Sequence, residues 1–249
     1  MINRFISLLL AFTLFIPLSL AQDDEDAPVI YDQGMVFGMY NSNLGWGGAL
    51  TYLLGESPRQ YVFSLELQQI RDAREALTAP FIGDQGKRYV FGKVNNFWNL
   101  SPMVGVYFDA IPRGRGNILK MRIGGKIGPA IGVLNPYHIE LYKAVPGRPF
   151  SPEFVVEPYD PGEHTFGEIV GRASFWSSDF SPTIQLGGSV HLNAMVDFSR
   201  TEAVIRGIEL GVNADIFFQE VPILAEINGV QNRRAFISVS AGLVFGGKW

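Results

Sequence analysis

From Ala235 to Trp249 the chain alternates without a break. Ala235, Ile237, Val239, Ala241, Leu243, Phe245, Gly247 and Trp249 fall on one parity, and Phe236, Ser238, Ser240, Gly242, Val244, Gly246 and Lys248 on the other. Period two means an extended strand with two unlike faces. The apolar face ends on an aromatic residue, where a lipid-facing strand sets an anchor at the membrane–water boundary. We read the segment as the closing strand of a transmembrane β-barrel. Phe245 and Trp249 then form its assembly signal, addressed to the barrel-assembly machinery.

The beginning of the chain fits an exported protein. Met1–Ala21 carries one basic residue, Arg4, then an apolar run from Phe5 to Leu18, then Ser19, Leu20 and Ala21. This is a signal-peptide layout: a basic region, a hydrophobic run shorter than a membrane-spanning helix needs, and small residues at a cleavage position. We expect residues 1–21 to be removed, residues 22–28 to form an acidic leader, and residues 29–249 to form one barrel domain. The chain has no cysteine, which excludes both disulfides and lipid attachment through an N-terminal cysteine. Beyond Ala21 no run of about 18 apolar residues occurs, so a membrane crossing has to use strands. With Arg4 gone, 19 basic residues face 24 acidic ones, a balance that gives no reason to invoke nucleic acid.

Ten strands are legible: Asp32–Asn41, Leu44–Leu54, Arg59–Gln69, Arg88–Val94, Ser101–Ile111, Ile118–Val133, Tyr137–Ala144, Thr183–Phe198, Ala203–Phe218 and the closing strand. Tyr61, Phe63, Leu65 and Leu67 oppose Ser64, Glu66 and Gln68, and Leu192, Ala194 and Val196 oppose His191, Asn193 and Asp197. The expected fold is therefore all-β: a closed antiparallel transmembrane barrel of about ten strands, with eight or twelve as alternatives, since an even count returns both termini to one side. Residues 70–86, 145–181 and 219–232 are then long extracellular loops, with a short helix around Glu168–Phe175. Glu56–Pro58, Leu134–Pro136 and Ser199–Glu202 are short periplasmic turns. Arg206 is a charge near the start of an apolar face, where a rim position lets it snorkel.

A soluble β-sandwich also alternates, but its outer face is dotted with Lys and Glu to meet water. Here the second face carries Gly, Ser, Asn, Gln and isolated charges of both signs, the composition of a crowded, hydrogen-bonded lumen. Lys120, Arg122 and Lys126 come from one strand; Glu66, Asp109, His191, Glu209 and Asp215 come from others. We expect these to form an internal charge network, because unpaired burial in so narrow an interior is costly.

Other chemistry finds little support. His191 with Ser189 and Asn193 lies on one strand face, as any polar lumen would arrange, and His138 with Glu140 is weaker. The acidic run Asp23–Asp26 lacks the spaced ligands and turn glycine of a calcium loop. Gly124–Gly128 resembles a phosphate-binding loop in composition only, since no helix follows it. No catalytic residue, metal site or cofactor is expected.

The stretches Tyr89–Phe97, Gly128–Tyr137 and Val221–Ala225, with the ending Phe245–Trp249, resemble a family of largely uncharacterised outer-membrane β-barrel proteins of Bacteroidetes. The resemblance implies an outer-membrane location and supplies no activity. The expectation is a non-enzymatic barrel embedded in outer-membrane lipid that engages an envelope protein partner. The rival readings are a narrow channel for ions or small solutes and a lipid-modifying enzyme.

Overall fold

The computed structural model describes residues 31–55, 58–80, 87–112, 119–145, 148–174, 180–227 and 229–249. The expected signal peptide and acidic leader lie outside the described residues. Eight strands close the barrel: β1 (Gln33–Ser42), β2 (Gly45–Leu54), β3 (Arg59–Ile70), β6 (Asn95–Ile111), β7 (Lys120–Pro136), β11 (Thr183–Asp197), β12 (Val204–Val221) and β13 (Arg233–Lys248). Around the wall they run β1–β13–β12–β11–β7–β6–β3–β2, every neighbour antiparallel, so each is hydrogen-bonded on both sides. The seam between the first and last strands continues to the final residue, with Trp249 N–H donating to Gln33 O at 3.0 Å and Gln33 N–H to Trp249 O at 3.2 Å.

Eight rather than ten strands cross because two expected strands stand outside the wall. The segment 88–94 contributes only β5 (Tyr89–Val90), paired with β4 (Leu77–Thr78). The segment 137–144 becomes β8 (His138–Val145), the middle of a small sheet between β9 (Arg148–Pro158) and β10 (Ile169–Arg172). Alternation reports a strand, not the sheet it joins. Tyr137, Ile139 and Leu141 bury one face of β8 against Tyr89, Tyr159 and Ile169, giving the outer sheet its own core.

Losing two crossings changes which end each link occupies. Residues 134–136, expected as a periplasmic turn, belong to the end of β7, at the same rim as the long loops. The expected 145–181 loop is largely structured by β9 and β10, and the short helix around 168–175 is replaced by a 3-10 turn at Phe166–Glu168 followed directly by β10. Residues 198–203 connect β11 to β12 at the other rim.

The faces follow the sequence parity. Outward stand Phe37, Leu65, Ile127, Leu192, Leu210 and Ile237 among many apolar side chains; Leu210 is 54% and Ile237 69% accessible. Inward stand Gln68, Asn99, Ser101, Lys126, Ser189, His191, Asn213 and Ser238, all buried. A closed sheet with an apolar belt outside and polar side chains within is a transmembrane barrel, since hydrocarbon tolerates neither a free edge nor an unpaired backbone. Trp46 and Trp98 pack edge to face at 5.4 Å on the outside near the long-loop rim, an aromatic anchor of the kind found at membrane interfaces. Arg206 is exposed near the start of β12, close to the opposite rim.

Eight strands leave an interior just wide enough for side chains. Gly124 on β7 shows the consequence, because any Cβ there would collide with the Tyr107 ring and backbone on the neighbouring β6. The glycine-rich stretch 124–128 is thus a strand that admits an aromatic ring into the lumen.

Two outcomes test the fold. Leu210→Arg places a charge on the belt near mid-strand and should cost about 2–4 kcal/mol of folding stability in bilayers, read by heat-modifiable migration and urea titration in vesicles. Deleting Trp249 removes both seam bonds to Gln33 and is expected to slow insertion into vesicles, measured as the rate at which the compact form accumulates.

Candidate functional site

The lumen collects every charged residue expected there, in two groups stacked along the barrel. The first is built around Lys126 on β7. Register places Lys126 opposite His191 on β11 and Ser189 opposite Asp215 on β12. The Lys126 ammonium donates to Glu66 Oε1 from across the lumen on β3 and lies 3.9 Å from Glu209. His191 Nδ1 lies 3.0 Å from the other oxygen of Glu66, and its Nε2 lies 3.5 Å from Asp215 Oδ1. The imidazole therefore bridges two carboxylates from opposite walls.

Polar neighbours complete these carboxylates. Asp215 accepts from Ser189 Oγ and from Asn99 Nδ2, the latter at 2.9 Å. Glu209 accepts from Asn193 Nδ2 at 2.8 Å and Tyr107 OH at 3.2 Å, and Glu66 also accepts from Ser64. Ser101 and Ser189 share a hydrogen bond of 3.0 Å. Glu66 and Glu209 thus have the Lys126 ammonium near them, and all three acids have neutral donors, the condition under which burial of charge is tolerated.

The second group lies toward the short-turn rim. Lys120 pairs with Asp109 at 2.9 Å, and Arg122 Nη2 reaches Asp197 at 3.3 Å while its Nε lies 3.9 Å from Asp109. Arg122 is only 1% accessible. Asp197 in turn accepts from Ser199 at the following turn, which ties the network to the rim.

Beside the first group lies a cavity of about 20 Å³, lined by Tyr40, Glu66, Tyr107, Asn193, Glu209 and Ser240 among others. That volume holds about one water. Apolar side chains pack around both groups. Phe97, Phe217 and Phe236 pack at centroid distances of 5.2 to 6.1 Å toward the long-loop end, and Val36, Leu53, Val62, Met195, Ile205 and Val244 form a cluster beside the second group, with Met195 in register with Arg122.

Several lumen residues lie outside the network expected from the sequence. Asp197 becomes the partner of Arg122 only because β11 pairs with β7, setting Asp197 opposite Lys120. Asn99 sits in a stretch that reads as a link, Asn95–Asn99, yet belongs to β6. Beginning Ser101's strand six residues earlier would have exposed the inward parity of Asn99. The Ser189 hydroxyl is committed to Asp215 and Ser101, both buried, so the sequence grouping of Ser189 and His191 reflects the network. His138 is buried beside the outer sheet with Nδ1 3.0 Å from Pro136 O, away from the lumen groups.

At the long-loop rim the loops are clasped by charge. Lys93 is buried and pairs with Glu75 at 2.8 Å; burial pushes its ammonium below the usual lysine value, and Glu75 acts against that. Arg74 donates to both oxygens of Asp72 at 2.7 and 2.8 Å and to Gln231 O at 2.9 Å, tying the loop after β3 to the loop before β13. The hydrogen bonds from Arg74 hold the Asp72 carboxyl below the ordinary aspartate value.

No protein-family model matches the chain, and no curated protein matches its sequence. Among solved structures the chain is similar to Neisserial surface protein A, with a TM-score of 0.45 and 7% identity over 88% of this chain and 97% of that one. It is also similar to a major outer membrane protein from Thermus thermophilus, with a TM-score of 0.44 and 9% identity over 86% of this chain and 98% of that one. The N-terminal β-barrel domain of Pseudomonas aeruginosa OprF gives 0.37 and 11% over 89% and 100%. No functional residue is carried over from any of them. Fold and lumen together define the class: a transmembrane β-barrel with a filled, charge-paired interior.

Arg122→Met leaves Asp109 and Asp197 buried without their guanidinium, and we expect it to destabilise the folded barrel by about 3–5 kcal/mol, measured by urea titration of the compact form. At the rim the sign of the pH effect follows from Asp72. A depressed carboxyl contributes its clasp above the unfolded value of about 3.9 and loses it as pH falls through the folded value. Proteolysis of the loop after β3 should accelerate there, and in Arg74→Gln at neutral pH.

Proposed function

We propose that this chain is a non-enzymatic barrel of the outer membrane whose lumen is a structural plug and whose ordered outer sheet engages a partner protein in an envelope assembly. One observation carries the reading. The small sheet at the long-loop rim has its own buried core of Tyr89, Tyr137, Ile139, Leu141, Tyr159 and Ile169, yet leaves Phe91, Tyr142 and Phe154 exposed, with Tyr142 and Phe154 packed at 5.5 Å. Loops that served only to connect strands would have no need of a hydrophobic core. A rigid sheet presenting aromatic side chains has the anatomy of a contact surface, where such residues dominate binding energy.

The filled lumen supports the same reading. Room for about one water leaves no continuous path for an ion, so conduction would require the paired charges and the aromatic plug to move. The outer-membrane location rests on the closed barrel with its apolar belt, together with the export signal expected in residues 1–21 and the resemblance to Bacteroidetes barrels. In that membrane the long-loop rim faces outward and the termini face the periplasm.

Two measurements test the proposal. Mild detergent extraction from native membranes should recover the barrel with a stable protein partner, and Phe154→Ser with Tyr142→Ser should release that partner while the compact barrel persists. Recovery of a solitary barrel, or a partner indifferent to both substitutions, would contradict it. In planar bilayers we expect no steady conductance from the wild type. Voltage-stable openings whose anion preference falls in Arg122→Met would instead promote the channel.

A further inference from the structure

Two adjoining clefts, of about 330 and 490 Å³, lie at the long-loop rim and share Gln69, Asn96, Tyr137 and Arg172. They sit on the lipid-facing side of the wall. Gln69 continues the outward parity of Tyr61 to Leu67 on β3, and its register partner Trp98 packs against membrane-facing Trp46. The lower cleft is floored by Trp98, Val133 and Pro136 and flanked by Phe180, all at the edge of the apolar belt.

Above this floor the walls are cationic. Lys87 and Arg172 line the first cleft, and Arg71, Arg88 and Arg172 the second. Gly171 makes the arrangement feasible: a Cβ there would strike the Lys87 backbone, and without it β10 closes on that strand of chain, Arg172 N–H donating to Lys87 O at 3.3 Å. The local acids are already taken, Glu75 by Lys93 and Asp72 by Arg74. Among the described residues no carboxylate lies within ion-pair distance of Arg71, Arg88, Arg172 or Lys87; Arg71 reaches only the Gln69 amide oxygen, at 3.2 Å.

We propose that this groove holds the phosphate headgroup of an anionic lipid in the surrounding outer leaflet, its acyl region lying on Trp98 and Val133 and its phosphate between Arg71, Arg88 and Arg172. A freely dissolved phosphate would need the arginines but not an apolar floor opening to the belt. Exposed arginines free of acidic partners match the planar, charge-assisted recognition of phosphate oxygens. The orientation of this rim toward the outer leaflet rests on the outer-membrane reading above, but binding in micelles does not depend on it, nor on any protein partner.

The folded barrel in neutral detergent can be titrated with diphosphorylated lipid A, its dephosphorylated counterpart and inorganic pyrophosphate. Binding is followed by tryptophan fluorescence, for which Trp46 and Trp98 are local reporters, and by native mass spectrometry. The phosphorylated lipid should bind at least about tenfold more tightly than either of the others, as several basic side chains acting on one anionic headgroup would give. R71Q/R88Q/R172Q should erase that preference while leaving heat-modifiable migration intact, and R71K/R88K/R172K, which keeps the charge without the planar fork, should retain only part of it. Equal affinity for the two lipids, or a preference unchanged in the glutamine variant, would overturn the proposal. Pyrophosphate binding as tightly as the lipid would overturn the lipid assignment and leave a free-anion site.

Discussion

Everything in this structure depends on a backbone that must satisfy its own hydrogen bonds inside hydrocarbon. A strand in lipid cannot leave an edge, so the first and last strands have to meet. The seam from Gly34↔Lys248 to Ser42↔Ser240, extended by the Gln33–Trp249 pair, is where that requirement is met. Closure with only eight strands then dictates a narrow lumen. Side chains pointing inward must fill it and satisfy one another.

The charge network follows from that confinement. Lys126, Glu66, His191, Glu209 and Asp215 come from β3, β7, β11 and β12, and the contacts Lys126–Glu66, Lys126–Glu209 and His191–Glu66 link strands that no backbone ladder joins directly. Such links are expensive to break and, being directional, fix one arrangement of the interior rather than many. Phe97, Phe217 and Phe236 close the lumen toward the long-loop rim, while the Lys120, Asp109, Arg122 and Asp197 group reaches toward the short-turn rim. A lumen so constructed resists flow and leaves the rims to deal with the surroundings.

At the long-loop rim a second folding unit is built on the first. The tyrosine-rich core beneath β8, β9 and β10 and the clasps Lys93–Glu75 and Arg74–Asp72 turn connecting segments into an ordered surface. That surface offers aromatic side chains on one part and unneutralised arginines on another. The two suit different occupants, a protein face and an anionic headgroup.

The alternation in residues 235–249, 183–198 and 203–218 determined the fold class and the inward or outward side of nearly every strand residue, because period two is a local property of the extended chain. It also delivered the lumen charges as a set, since inward parity needs no knowledge of neighbours. What the sequence could not contain was pairing. Tyr137–Ala144 alternates as well as any crossing strand, yet its neighbours are β9 and β10, and only the folded chain shows that Ile139 and Leu141 face a private core. Asp197 likewise meets Arg122, and Glu66 meets His191, through registers fixed by the closure of the whole sheet. Which strands cross, which charges touch and where the rim arginines gather are long-range facts, set by the closing of a cylinder rather than by any stretch of chain.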